Sequence, residues 1–186
     1  TMLKAISRDP AMMIYLDSRT NKKGKPNENY SRELMELFTL GVGYYTEDDV
    51  RESARAFTGW QLRKKTEFVF NKKQHDFDEK IFLGQIGNWD GDNVVDIIMM
   101  QPAAAEYITT RLWKFFAYAE PEPTLIARLS QVFREHNSEI KPVVRAIFES
   151  DEFYSLRATQ ALIKGPAELA ASTIRTLGLD TNAGTL

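Results

Sequence analysis

The sequence predicts an all-α, multi-helix domain with a short β-like ribbon or extended insertion around residues 61–88. Three observations predict it. Apolar residues recur at three- and four-residue spacing over most of the chain, caps and stops bracket those runs, and the period shortens to two only between Gln61 and Asn88.

Asp9-Pro10 supplies a capping carboxylate and a proline whose fixed φ suits the first helical position, so a helix runs from Pro10 to about Asp17, preceded by another turn from Met2. Asn27 or Asn29 caps the next helix, whose Tyr30, Leu34, Leu37 and Phe38 make one apolar face until Gly41 stops it. Thr46, with Glu47, Asp48 and Asp49 in the first turn, starts a helix through Val50, Ala54 and Phe57 that Gly59 ends. In the insertion Phe68 and Phe70 alternate with Val69 and Asn71, and Ile81-Phe82-Leu83 precedes Gly84. Helical spacing resumes from Asp92 to Met100 with Asp92 or Asn93 as cap, restarts after Pro102 through Phe116, and continues in Leu125, Leu129, Val132 and Phe133. Within the Pro102 helix, Ile108, Leu112, Phe115 and Phe116 form the expected core face, which leaves Trp113 or Tyr118 to reach a surface. Ile140, Val143, Val144, Ile147 and Phe148 fill the helical template completely, and Pro166 to Leu177 closes the series before Gly178. Residues 1–186 are therefore read as a single helical domain. Thr1-Met2-Leu3 opens straight into helical pattern and the end trails into a small polar tail, so the chain is read as a fragment whose partners include the remaining parts of its own longer protein.

With 186 residues, 43% hydrophobic and 27% charged, the chain can bury a real core. No apolar run approaches the ~18 to 20 residues of a spanning helix, so no membrane insertion is expected. Twenty-four Lys plus Arg against 26 Asp plus Glu leave a net charge of -2, which disfavours nucleic acid as a partner. Arg63-Lys64-Lys65 and Lys72-Lys73 do interleave with Phe68 and Phe70, as strand-tracking proteins arrange them, but Glu67, Asp76, Asp78 and Glu79 cancel that local field. The absence of cysteine removes disulfides, thiol nucleophiles and thiolate metal sites. No phosphate-loop, dinucleotide, zinc-protease or nucleophile-elbow motif occurs, so nothing names a cofactor or a reaction.

The run Asn27-Glu-Asn-Tyr-Ser-Arg-Glu-Leu-Met-Glu-Leu-Phe-Thr-Leu-Gly41, then Gly43-Tyr-Tyr-Thr-Glu-Asp-Asp-Val50 and Ala54-Arg-Ala-Phe-Thr-Gly-Trp60, resembles the signature of the bacterial family called domain of unknown function 1800. Phe68-Val-Phe70, His75-Asp76, Lys80, Phe82-Leu-Gly84, Ile108, Leu112-Trp113-Lys114-Phe115-Phe116 and Lys164-Gly-Pro166 extend the resemblance to about Gly178. It implies a central or C-terminal piece of a larger bacterial protein, often with an export signal upstream, so an exported or periplasmic location follows from the resemblance alone. Several members carry His where this chain has Phe38, and no role of that histidine transfers.

Candidate chemistry rests on two groups of residues. Glu33 and Glu36, three apart on one helix, share a face and could serve as an acid-base pair or hold a cation. His75 lies in the insertion beside Asp76, where a carboxylate could orient it to activate water, with Lys80 or Arg55 to stabilise negative charge. Together these make a metal-assisted or acid-base hydrolase with catalytic candidates His75, Asp76, Glu33 and Glu36. The favoured reading is instead a helical binding or scaffold domain in which Arg32, Glu33, Glu36 and Arg55 form a partly buried network between two helices. Arg55 and Trp60 could alternatively line a cleft for a small polar ligand such as a sugar. His136, near a helix C-terminus, is read as structural.

Overall fold

Short helices begin the chain, two of them capped by side chains. In the computed structural model, which describes residues 2–179, α1 (Met2–Ser7) leads into α2 (Pro10–Tyr15), where the Asp9 carboxylate accepts from the backbone N–H groups of Ala11 and Met12. α3 (Asn29–Glu33) starts after Glu28 with no side-chain cap, not on an Asn27 or Asn29 cap, and passes directly into a π-helical turn, Leu34–Thr39. α4 (Glu47–Ala56) starts from a reciprocal Thr46–Asp49 capping box.

The π turn is a departure from the sequence expectation. One extra residue per turn rotates the face, so Leu34 and Met35 are buried while Leu37, expected in the core, is half exposed. The Leu37 carbonyl, in the last turn of this helix, accepts 2.7 Å from the Tyr107 hydroxyl.

The insertion contains two hairpins rather than one ribbon, and it begins one residue early. β1 (Trp60–Arg63) pairs antiparallel with β2 (Glu67–Phe70), Trp60 opposite Phe70; Lys64 and Lys65 both take positive φ in the turn. β3 (Lys80–Phe82) pairs with β4 (Gln85–Gly87) across the two-residue turn Leu83-Gly84, where φ is again positive at both positions.

Four helices follow, α5 (Gly91–Met99), α6 (Pro102–Phe116), α7 (Pro123–Glu135) and α8 (Ile140–Phe148), and then α9 (Pro166–Leu177). Asp90, not Asp92 or Asn93, caps α5; Asn93 closes the capping box from the third position. Gly91 at the start of α5 allows close approach, since a Cβ there would lie 2.5 Å from both Phe57 Cδ1 and Trp60 Cζ2.

Buried side chains form two clusters. Met13, Leu34, Val50, Phe57, Phe82 and Ile98 represent the first, and Trp113, Leu125, Leu129, Phe133, Val143 and Ile147 the second; Met99 packs against both. The core face of α6 is wider than the expected one: Ile108, Leu112 and Phe116 pack partly buried against the second cluster, Ala105, Thr109 and Trp113 are buried beside them, and Phe115 is 72% exposed; Trp113 and Tyr118, expected to reach a surface, are both buried. The fold is helix-dominated with two small hairpins, and among the described residues no helix is long and apolar enough to cross a membrane.

Candidate functional site

The end of α4 gathers the polar residues of the insertion. Gly59, at φ +82°, turns the chain from α4 into β1 so tightly that a Cβ would meet the Asn71 carbonyl at 2.6 Å. That turn brings Thr58 against the His75-Asp76 segment. The Thr58 hydroxyl donates to the Arg55 carbonyl at 2.6 Å and accepts from the Asp76 backbone N–H at 2.8 Å.

His75 is 3% exposed, and its Nδ1 lies 2.8 Å from the Thr58 carbonyl oxygen. A carbonyl only accepts, so Nδ1 carries the proton. The ring meets Phe70 and Phe77 edge to face, at 5.1 and 4.6 Å between centroids.

Asp76 turns the other way. Its Oδ2 accepts 2.8 Å from Arg55 Nε, and its Oδ1 accepts 3.0 Å from the Asp78 N–H. Burial works to raise its pKa, but the Arg55 hydrogen bond, the Asp78 amide and the Arg55 and Lys80 charges outweigh it and hold the carboxyl lowered to about 2. Arg55 also reaches Glu52 at 2.7 Å, and these bonds hold its own pKa raised.

Lys80 is 1% exposed; its ammonium donates to the Asp76 and Asp78 carbonyls at 2.6 and 2.9 Å. Burial lowers its pKa, with Asp76 opposing. Asp49 and Glu52, on the same face of α4 as Arg55, accept from the Leu83 and Ile81 N–H groups at 2.7 and 3.3 Å and so tie β3 to the helix.

Three further partners of this cluster escaped sequence reasoning. Glu52 belongs to no motif, Thr58 falls within the Ala54–Trp60 signature run without a role of its own, and Asn21 lies between the first helices with no capping or periodic signal. Yet Asn21 is buried, donates to the Ala54 carbonyl at 2.8 Å and accepts from the Asn27 N–H at 3.0 Å. The alternation of Phe68 and Phe70 and the Gly59 break were the available signals that this part of the chain folds back on α4.

The residues expected to form one network lie in separate places. Arg32 pairs with Glu47 through two 2.7 Å contacts, bridging α3 to α4, and stands 3.5 Å from Glu28. Arg55 pairs with Asp76 and Glu52, not with Glu33 or Glu36. Glu36 accepts 3.0 Å from the Tyr45 hydroxyl. His75 has Thr58 and two phenylalanines around it, and the Asp76 carboxylate goes to Arg55 instead of the imidazole. Trp60 does not line a cleft: it is buried edge to face against Phe57 and Phe68, with the Arg8 guanidinium 5.2 Å from its ring centroid. His136 Nδ1 lies 2.9 Å from the Val132 carbonyl, a helix-end bond. Among the described residues no three His, Asp or Glu side chains gather closely enough to hold a metal ion.

A groove of about 1240 Å³ opens elsewhere, between α1, the π turn, α6 and the corner joining α7 to α8. Leu37, Met100, Phe115 and Ile140 give it an apolar lining, with Arg111 and Lys141 among its cations.

A family model described as a protein of unknown function (DUF1800) matches residues 1–186. The chain belongs to this family. The match extends beyond the Asn27–Gly178 stretch that carries the resemblance in the sequence. No curated protein and no solved structure matches it.

Proposed function

We propose that this DUF1800 chain is a helical binding or scaffold domain of a larger, exported bacterial protein, and that its buried polar cluster is a latch holding both hairpins on α4. The observation that carries this reading is saturation: Asp76, Arg55 and Lys80 direct their charges at one another, at Glu52 and at backbone groups, while the His75 ring is buried between two phenylalanines. A catalytic base needs a nitrogen or oxygen aimed at a reacting proton, and a metal site needs converging donors. The Asp76 carboxylate turns to Arg55 instead of the imidazole, and Glu36 accepts from the Tyr45 hydroxyl.

Thermal unfolding of wild type and Asp76→Asn, with and without zinc, manganese and magnesium, tests it. A latch that loses one partner of a buried charge pair loses about 1 to 3 kcal/mol, or roughly 3 to 10 °C in Tm for a chain of this size, and the cations leave wild type unchanged. The reading fails if a divalent cation raises the wild-type Tm by several degrees and Asp76→Asn abolishes that rise, because the cluster would then be a metal site.

A further inference from the structure

Two identical Asn-Lys-Lys triplets, residues 21–23 and 71–73, meet in the fold. Both are rooted on Gly59: its N–H donates to the Asn21 carbonyl at 3.1 Å, and its carbonyl accepts from the Asn71 N–H at 2.7 Å. The Lys23 N–H then donates 2.8 Å to the Gln74 carbonyl, which lays the turn after Asn21 against the turn after Asn71. Gln61 fastens the second turn to β1, its side-chain amide donating to Gln74 at 2.6 Å and accepting from Asn71 at 3.1 Å. β1 itself ends in the Lys64-Lys65 turn, about 13 Å along the strand from this junction.

The acids expected to cancel this charge are engaged elsewhere. Glu67 is taken by Arg63 and the buried Asp76 by Arg55, while Asp78 lies 3.3 Å from Lys23 Nζ. Lys22, Lys25, Lys64, Lys65, Lys72 and Lys73 are all exposed and stand in no ion pair among the described residues; of the four acids, Glu79 alone is left to oppose them. Phe70 and Phe77, 38% and 50% exposed, flank His75 in the same segment. A chain of net charge -2 thus keeps a concentrated basic region edged with aromatic rings.

We infer that these lysine-bearing turns bind an anionic lipid surface peripherally, with Phe70 and Phe77 entering the headgroup layer. The chemistry of the donors selects this partner. Every free cation here is a lysine, a point charge that lacks the guanidinium fork with which bases are read. The charges sit on turn tips, which a broad surface meets together, whereas proteins that track a nucleic-acid strand line a groove. Among the described residues no helix is long and apolar enough to cross a membrane, so the attachment is electrostatic with shallow aromatic contact. This gives the binding reading a partner, yet it uses none of the latch's charged groups.

Cosedimentation of the intact chain with vesicles tests it, using phosphatidylglycerol and phosphatidylcholine in equal parts against phosphatidylcholine alone. The expected result is binding to the anionic vesicles only, lost as sodium chloride rises from about 50 to about 500 mM. Lys22→Gln, Lys25→Gln, Lys72→Gln and Lys73→Gln, combined stepwise, should weaken it roughly fivefold per lysine removed. Lys114→Gln with Lys141→Gln removes the same charge from exposed positions elsewhere and should leave binding unchanged. Phe77→Ser should weaken it severalfold at low salt. All these positions are at least half exposed, so an unchanged Tm certifies the fold of each variant; Asp76→Asn reports on the latch through Tm, and the two readings fail separately. Failure to bind the anionic vesicles at low salt overturns the inference. So does an equal loss per lysine from the Lys114, Lys141 pair, which would make the attraction diffuse. Displacement from the vesicles by an oligothymidylate strand at equal anionic charge also overturns it, because the surface would then belong to single-stranded nucleic acid.

Discussion

At the scale of single residues, Asp76 concentrates the electrostatics of the fold. Its carboxyl is lowered to about 2 because Arg55, the Asp78 amide and Lys80 together outweigh the cost of burying it. A group whose folded pKa is depressed contributes stability that is complete above its unfolded value, near ~4, and is lost as the pH falls through the folded one. The window is therefore about pH 4 to pH 2, and the amount on the order of 2 kcal/mol. Urea unfolding followed across that range should show a downward slope in wild type that is visibly flatter in Asp76→Asn; equal slopes would mean that Asp76 is not the group titrating. His75, by contrast, works as a buried hydrogen-bond donor. Its proton is committed to the Thr58 carbonyl and its faces to two phenylalanines, surroundings that suit a packed ring better than a proton shuttle.

Among elements, the junction of α4 with the insertion and α5 is the least forgiving. Phe57 and Trp60 close over Gly91, and a methyl group there would stand 2.5 Å from either ring. Neither ring has room to retreat, since Trp60 is held edge to face by Phe57 and Phe68 and Phe57 by Tyr30. Gly91→Ala should cost about 1 to 3 kcal/mol in chemical denaturation even though alanine is the better helix former. A neutral or stabilising outcome would show that this corner repacks. The π turn belongs to the same scale. It swings Leu37 into the groove and is secured by Tyr107, so a local irregularity in one helix shapes the groove's lining.

Over the whole molecule, packing rather than surface charge holds the chain together. Two apolar clusters meet at Met99, whereas most ion pairs among the described residues have both partners substantially exposed. Exposed pairs contribute little and are screened by salt. Raising sodium chloride from about 50 to about 500 mM should thus change the unfolding free energy by less than ~1 kcal/mol. A fall of several kcal/mol would identify the charge network, not the cores, as the main support.

Much of the helical layout was written in local chemistry. Asp9-Pro10, Thr46 with its acids, Pro102 and Pro166 each act within one turn of their own position, so caps and boundaries were legible there, and the family signature could be read from the run between Asn27 and Trp60. Periodicity failed where a helix departs from α geometry or where neighbours choose the buried face, as at Leu37 and Phe115. The partners of the charged residues were beyond it altogether. Arg55 meets Asp76 because Gly59 reverses the chain and two hairpins bring a distant loop back to α4; Arg32 finds Glu47 for similar reasons of chain path. Residue order alone determined which helices form and, for α2, α4, α6 and α9, where they start. Long-range pairing across the turns decided which charges neutralise one another and which apolar faces stay open, because Coulomb attraction and burial depend on separation in space, not along the chain.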